Sequence, residues 1–393
     1  MIMELELTIE KLVSKGEGLA RFDGKTFFVR DALPGETVVA EVTEQKSDFA
    51  RAETVRVAVS SENRVKPACP YYGECGGCDL QHASSESQTS YKEEIVKENF
   101  RRIGAVDIDD PELGITLLPP ASDQSWGYRS RVRFHVDLET GRCGFLGRKS
   151  SDLVDIHHCP ILCDSLNRLL DEKRPLLLKA AQMRRASEGW QSRYRYVQVP
   201  AFAGDDKVSL SSTEVSVDVA EKTIWADSNV FFQSNRFLIS QMVDFVKSYA
   251  VGSTVIDLFA GVGTFSAFVE SPEVNVIAVE RDSRCLALAQ KNLTNTEFFT
   301  QKAEYWSKKR GKDPVDTVIV DPPRTGLDKQ LVETISSWNP QVIIYMSCDS
   351  VTQARDIKRF GEHGYRVKVL QVFDLYPQTS HIESGVCMYR VQS

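Results

Sequence analysis

From about residue 226 onward, four apolar runs recur at intervals that a helix would fill: Thr254–Phe259, Asn275–Glu280, Thr317–Asp321 and Val342–Ser347. Runs without polar alternation suit strands buried on both faces, as in a parallel sheet covered by helices on each side. The alternation therefore predicts a doubly wound α/β sheet. Two further strand-like runs, Arg366–Phe373 and Glu383–Val391, are joined by a short loop and predict an antiparallel pair closing that sheet. Ligands of open α/β sheets bind beyond the carboxyl ends of the strands. The residues at those ends are thus the first candidates for chemistry.

After the first run, Asp257-Leu258-Phe259-Ala260-Gly261-Val262-Gly263-Thr264 puts glycines where a backbone can approach a ligand closely. A Gly-x-Gly alone would fit a dehydrogenase equally well, and Ser266 stands where the dinucleotide fingerprint has its third glycine. Glu280, ending the second run, is placed to accept hydrogen bonds from a ribose diol. Asp321-Pro322-Pro323-Arg324 puts a carboxylate at a strand end and stiffens the following turn with two fixed φ angles. Amino-methyltransferases carry an aromatic residue in the fourth place of a similar motif; Arg324 there argues for another target atom. Cys348 lies just past the run Val342–Ser347 and is followed by polar Asp349, Ser350 and Thr352. A thiol of pKa about 8.5 is strongly nucleophilic once deprotonated. A nucleophile, a cofactor loop including Phe259 and an acid along one sheet edge predict covalent catalysis with S-adenosylmethionine. A parallel sheet ending in a hairpin is the pattern of class I methyltransferases, a Rossmann-like fold.

The region before this sheet reads differently. Residues 1–60 show short alternating runs (Leu5–Val13, Leu19–Phe22, Thr26–Val29, Val38–Val42) between glycine- and proline-containing turns, which predicts a small β-barrel. Residues 61–225 predict a mixed α+β central domain. It contains a helix over Ser90–Ile103 and a Pro- and Asp-rich connecting loop over Asp107–Ser125. Within it, Cys69-x5-Cys75-x2-Cys78 with Gly76-Gly77 between the last two predicts a metal centre, the glycines allowing the chain to wrap tightly. Cys159, in His157-His158-Cys159-Pro160, is the best fourth ligand, with Cys143 and Cys163 behind it. Four thiolates suit zinc or a [4Fe–4S] cluster. The uneven three-plus-one spacing favours iron–sulfur over zinc, whose sites usually pair two short hooks.

The formal net charge of −7 argues at first against a nucleic-acid partner, but its distribution reverses that reading. Between Tyr128 and Lys149, six basic residues (Arg129, Arg131, Arg133, Arg142, Arg148, Lys149) face only Asp137 and Glu139. Between Lys173 and Tyr196, seven basic residues face only Glu188, with Trp190, Tyr194 and Tyr196 interleaved. Arginines with aromatics pair with phosphates and stack on bases, so RNA is the expected partner. No apolar run approaches the ~18 residues of a membrane span. Nine cysteines, several in apolar strands, and a start lacking a secretory signal point to a reducing, cytosolic compartment.

Taken in order, these segments closely resemble the RNA uracil-5 methyltransferase family across nearly the whole chain. Residues 1–60 resemble its TRAM barrel, an RNA-binding module of oligonucleotide-barrel type. Cys69, Cys75, Cys78 and Cys159 match its [4Fe–4S] ligand pattern. Phe231-Phe232-Gln233-Ser234-Asn235 resembles the segment whose glutamine contacts S-adenosylmethionine. Asp321-Pro322-Pro323-Arg324, Ser347-Cys348-Asp349 and Pro377-x-Thr379-x-His381-x-Glu383 resemble its catalytic motifs. The resemblance implies that Cys348 adds to carbon 6 of a uracil and carbon 5 takes the methyl group. Glu383 then removes the carbon-5 proton, while Gln233 and Asp321 bridge cofactor and base. It implies a ribosomal substrate, 23S rRNA, with transfer RNA as the alternative, and a monomeric enzyme. A non-catalytic RNA-binding protein is the reading from another class; it would lack the nucleophile or the base. Three positions depart from the pattern: Ala260 replaces a frequent cysteine, Asp349-Ser350 stands where Asn-Pro is usual, and Gly385 interrupts the last motif.

Overall fold

The computed structural model describes residues 3–119, 121, 123–188, 195–311 and 313–391. Trp190, Arg193 and Tyr194 of the expected basic and aromatic segment lie outside them. The chain divides into two compact units. One comprises Met1–Ile95, Phe145–Val154 and Tyr376–His381; the other comprises Val96–Gly144, Asp155–Leu375 and Ile382–Ser393.

The first unit contains a six-stranded sheet in the order Glu4–Thr8, Thr37–Gln45, Phe49–Val59, Lys25–Arg30, Glu17–Phe22, Lys11–Val13. Its core is made by residues that alternate along these strands, among them Leu7, Phe27, Val29, Val38, Ala40, Ala50 and Ala52. The expected single strand over Leu5–Val13 is instead two. The break falls at Ile9 and Glu10, whose amides donate to different partners, the carbonyls of Glu36 (2.9 Å) and Leu19 (2.8 Å). The long strand Phe49–Val59 had escaped the sequence reading because Arg51, Glu53 and Arg56 occupy its outward positions and mask the apolar alternation. The helix expected over Ser90–Ile103 spans Ser85–Arg102. Ser84 caps its start, its hydroxyl accepting from the Ser87 amide at 3.3 Å.

The second unit holds an eight-stranded sheet. Its strands are β1 (Thr254–Leu258), β2 (Asn275–Glu280), β3 (Thr296–Thr300), β4 (Thr317–Val320), β5 (Val342–Ser347), β6 (Tyr365–Phe373) and β7 (Glu383–Arg390). The helices between them are α1 (Ile239–Tyr249, before β1), α2 (Ser266–Val269), α3 (Ser283–Asn292), α4 (Ala303–Arg310), α5 (Lys329–Ser337) and α6 (Ser350–Glu362). The order is β3-β2-β1-β4-β5-β7-β6, followed by Gly114–Leu118 as the edge strand. β1 to β5 pair in parallel, and β7 runs antiparallel to both β5 and β6. Every residue of β4 and β5 is buried, as their uninterrupted apolar runs require. Burial of each large aliphatic side chain there contributes about 1.5–3 kcal/mol.

Two expectations need correction. The stretch Asp107–Ser125 is not wholly a connecting loop, since Gly114–Leu118 pairs in parallel with β6. The strand is only five residues long and its apolar residues Ile115, Leu117 and Leu118 are only partly buried, so no periodicity announced it. β3 was likewise missed: none of its five residues is fully buried, and it sits at the other sheet edge.

Candidate active site

The chain leaves β1 through a left-handed turn. Phe259 has φ of 67°, Gly261 of 57° and Gly263 of 79°. A side chain on Gly263 would come within 2.7 Å of Leu293, while the space beside Gly261 is open. Glycine is needed at 263 for both reasons; at 261 the backbone is left bare for a ligand. Phe259 thus belongs to the turn and not to the strand, its amide still bonded to the Val279 carbonyl at 3.0 Å. Glu280 ends β2 and braces the loop: its Oε2 accepts from the Gly261 amide (3.1 Å) and its Oε1 from Asp282 (2.8 Å). Asn292, which no sequence motif singled out, ties the same loop down. Its amide group donates to the Val262 carbonyl (2.8 Å) and makes a two-point contact with the backbone of Trp225 (2.8 and 3.0 Å).

Two buried oxygens beside these elements await a donor. Asp257 is fully buried; its Oδ2 accepts from the Ser266 hydroxyl at 2.6 Å, but its Oδ1 has no partner. Gln233 is buried and its Oε1 is also without one. The segment carrying Gln233 is held rigidly. The Ser234 carbonyl accepts from the Ser130 amide at 2.8 Å, and Asn235 donates to the Leu375 carbonyl at 2.9 Å. Buried oxygens left unsatisfied by protein are expected where a ligand completes the bonding. With the open backbone at Gly261, they fit a polar cofactor such as S-adenosylmethionine.

On the substrate side, β5 and β7 set the geometry. Their antiparallel register pairs Ser347 with Ser384, which carries Cys348, one residue past β5, to the level of Glu383, the first residue of β7. Gly385 pairs with Met346, and a side chain there would meet Phe245 at 2.8 Å and the Met346 sulfur at 3.0 Å. The interruption of the last motif therefore has a packing reason. Asp349 caps α6, accepting from the amides of Val351 (3.1 Å) and Thr352 (2.9 Å), so this departure leaves the turn after Cys348 firmly closed.

Four ionisable side chains meet at this edge. Burial pushes the Cys348 thiol up to about 11; Glu383 and Asp321 add to this, while Arg324 opposes it by charge and by a hydrogen bond to the sulfur. Burial, then Asp321, raises the Glu383 carboxyl well above the usual range, Arg324 again opposing. Asp321, half-buried at the end of β4, is pushed up to about 7 by burial and by Asp257. Asp257 is raised to about 7 by burial and, more weakly, by Glu280, its bonds from Ser266 working the other way. Carboxyls crowded in this way cannot all ionise together. Burial and these neighbours therefore favour the protonated forms of Cys348 and Glu383, with Arg324 as the cation opposing both shifts. Arg324, read from sequence as evidence against amine methylation and as part of a motif resembling a catalytic one, is thus a further candidate residue of the site.

The cysteine loop lies in the first unit. Cys69, Cys75 and Cys78 are each partly exposed, and Cys75 Sγ accepts from the Gly77 amide at 3.4 Å, a bond of the kind that steadies a ligating sulfur. Gly76 donates to the Leu146 carbonyl at 3.0 Å, leaving little room for a side chain at that position. Cys159, buried in the second unit, is framed by Asn167, which both donates to its carbonyl and accepts from its amide. Among the described residues, however, no group of three or more His, Cys, Asp or Glu is arranged to hold a metal. The donor chemistry of the three loop cysteines suits a cluster. Backbone hydrogen bonds hold the loop both internally, as from the Cys75 amide to the Tyr71 carbonyl (2.9 Å), and to its neighbours, as from the Arg148 amide to the Glu74 carbonyl (2.8 Å).

Similarity to known proteins extends over nearly the whole chain. A TRAM domain matches residues 3–55, and the family described as tRNA (Uracil-5-)-methyltransferase matches residues 311–391. The chain is 31% identical to a 23S rRNA (uracil(1939)-C(5))-methyltransferase of Shewanella sediminis, over 97% of this chain and 95% of the relative. It is 32% identical to the protein of the same name from Halomonas elongata, over 96% and 88%. The fold is shared with the crystal structure of a Pyrococcus abyssi tRNA (uracil-54, C5)-methyltransferase in complex with S-adenosyl-L-homocysteine. That likeness has a TM-score of 0.71 at 22% identity and covers 98% of this chain and 99% of that one.

Proposed function

This chain belongs to the RNA uracil-5 methyltransferase family, and from that premise we propose that it methylates carbon 5 of one uridine in 23S rRNA, with Cys348 as nucleophile and Glu383 as base. The observation that carries the reading is the β5–β7 register, which brings Cys348 level with Glu383. S-adenosylmethionine supplies an electrophilic methyl group when bound; Gln233, Phe259, Glu280 and the glycine turn would hold it. Cys348 releases its proton to solvent and its sulfur bonds to carbon 6 of the uracil, opening the carbon 5–carbon 6 double bond to an enolate in which carbon 5 is nucleophilic. Carbon 5 takes the methyl group, Glu383 accepts the proton that carbon 5 loses, and the carbon–sulfur bond breaks. Asp321 orients the base at the strand end. Burial favours the protonated form of Glu383, so for it to act as base its proton passes to solvent as the site is loaded. The uridine must also leave its stack, at a cost of a few kcal/mol. The TRAM sheet and the basic residues of Arg174–Glu188 supply RNA contacts that offset it.

With RNA containing 5-fluorouridine, in which carbon 5 has no proton to lose, a covalent protein–RNA complex should survive denaturation. Cys348→Ala should abolish both complex and turnover; retained turnover in that variant would overturn the assignment. Mapping 5-methyluridine in ribosomal and transfer RNA from cells with and without the gene decides the substrate, a change confined to transfer RNA overturning the ribosomal reading. We further propose that Cys69, Cys75, Cys78 and Cys159 ligate a [4Fe–4S] cluster, on the strength of their donor set and spacing. Anaerobically purified protein should carry roughly four irons and four sulfides; stoichiometric zinc without sulfide refutes this. No described helix is long and apolar enough to cross a membrane. From the cysteine usage and the proposed ribosomal substrate, we propose that the enzyme works in the cytosol, as a monomer.

A further inference from the structure

The loop that carries Arg324 has no regular structure of its own, yet four of its backbone groups, three carbonyls and one amide, are held by one face of α6. The Thr352 hydroxyl is 3.0 Å from the Arg324 carbonyl. Arg355 donates to the carbonyls of Thr325 (2.9 Å) and Leu327 (3.2 Å), and Arg359 also donates to Leu327 (3.2 Å). Asp356, fully buried, accepts the Leu327 amide at 2.7 Å and the Tyr345 hydroxyl at 2.9 Å through one oxygen. Its other oxygen accepts from Arg355 (2.9 Å) and Arg359 (3.0 Å). Gly326, with φ of 69°, lets the loop pass so close that a side chain there would run into the Asp356 carboxylate. Positions 352, 355, 356 and 359 follow the i, i+3, i+4, i+7 spacing of a single helix face.

The same helix starts at the nucleophile. Asp349, next to Cys348, caps α6, and the Thr352 hydroxyl also lies within 3.2 Å of the Asp349 carbonyl. α6 therefore grips at once the turn that presents the thiol and the loop that presents the cation. Pro322 and Pro323 stiffen only the approach to Arg324; beyond it, the restraint comes from these side chains.

We propose that Thr352 and Asp356 are positioning residues that hold the Arg324 guanidinium in hydrogen-bonding reach of Cys348, and so control how readily the thiol adds to the uracil. This rests on the reading of Cys348 as the nucleophile. The charged groups acting on the thiol are Glu383 from β7, Asp321 from the end of β4, and Arg324. Of these only Arg324 favours the thiolate, so loosening its loop leaves the two carboxyls unopposed.

The test is the rate of covalent complex formation between full-length enzyme and 5-fluorouridine RNA with S-adenosylmethionine, measured from pH 6.5 to 10. Thr352→Val keeps the shape and removes the hydroxyl. It should slow complex formation about tenfold at neutral pH, within the range known for indirect coupling, and move the rising limb of the pH profile upward, with KM for RNA unchanged. Thr352→Ser should restore the rate to within about twofold, and Asp356→Asn should act in the same direction as Thr352→Val. A wild-type rate and profile for Thr352→Val overturns the proposal, and so does slowing that is equal at every pH. If Asp356→Asn fails to fold, the Thr352 pair still decides. Cys348→Ala run alongside separates the two ideas: a complex formed without that thiol would refute the nucleophile itself.

Discussion

The protonation of Cys348 in the free enzyme can be measured directly. Its thiol lies at about 11 against an ordinary 9.0, so below pH 9 its thiolate population is lower by about two powers of ten. Since the thiolate is the reactive form, iodoacetamide should label Cys348 roughly 100-fold more slowly than an unhindered thiol at pH 7.5. Peptide mass spectrometry resolves Cys348 from the partly exposed Cys69, Cys75 and Cys78. The labelling rate should rise about tenfold per pH unit and flatten only near pH 11. Two variants give opposite signs. Arg324→Leu removes the one opposing cation and should slow labelling further. Glu383→Gln removes a neighbouring negative charge and should speed labelling, most clearly at alkaline pH where the carboxyl is ionised. A midpoint near 8 in the free wild-type enzyme, or variants that shift in the same direction, would refute the electrostatic account of this site.

Glu383→Gln should fold normally, since the amide keeps the side chain's size, and should accumulate a methylated, covalent complex on ordinary uridine RNA. Radiolabel from S-adenosylmethionine in a protein-linked RNA band measures it, and a well-folded variant with full turnover would exclude Glu383 as the base. Gly263→Ala meets both a φ of 79° and a contact at 2.7 Å; it should cost about 1–3 kcal/mol of stability and weaken S-adenosylmethionine binding, read by thermal melting and calorimetry. Asp257→Asn tests the buried acid. The folded-state value of about 7 lies above the unfolded value near 3.9, so the wild type loses stability as pH rises between them and the loss levels off above 7. The variant, neutral throughout, should therefore gain in melting temperature relative to wild type at pH 8.5 compared with pH 4.5; no pH-dependent difference would mean that Asp257 ionises freely.

The sequence alone was enough to place β1, β2, β4 and β5, because strands buried on both faces cannot carry polar residues without a bonding partner, and their apolar runs are therefore unbroken. It also singled out the glycine turn and Cys348, since each lies next to the end of such a run, whereas Glu383 came only from the resemblance of Pro377-x-Thr379-x-His381-x-Glu383 to a family motif. Phe231-Phe232-Gln233-Ser234-Asn235 and the cysteine spacing were recognisable as linear patterns. The edge strands Gly114–Leu118 and β3 were not, because a strand covered on few sides needs little hydrophobicity and shows no period. Nor could sequence reveal that Cys348 and Glu383 stand level, which depends on the register between strands separated by more than thirty residues. The protonation of the site belongs wholly to the tertiary structure. A carboxyl or thiol titrates according to its burial and its neighbours, and Asp257, Asp321, Arg324, Cys348 and Glu383 become neighbours only when the sheet forms. The grip of α6 on the Arg324 loop has the same origin: Thr352, Arg355, Asp356 and Arg359 read locally as an ordinary polar helix face, and folding turns that face toward the loop.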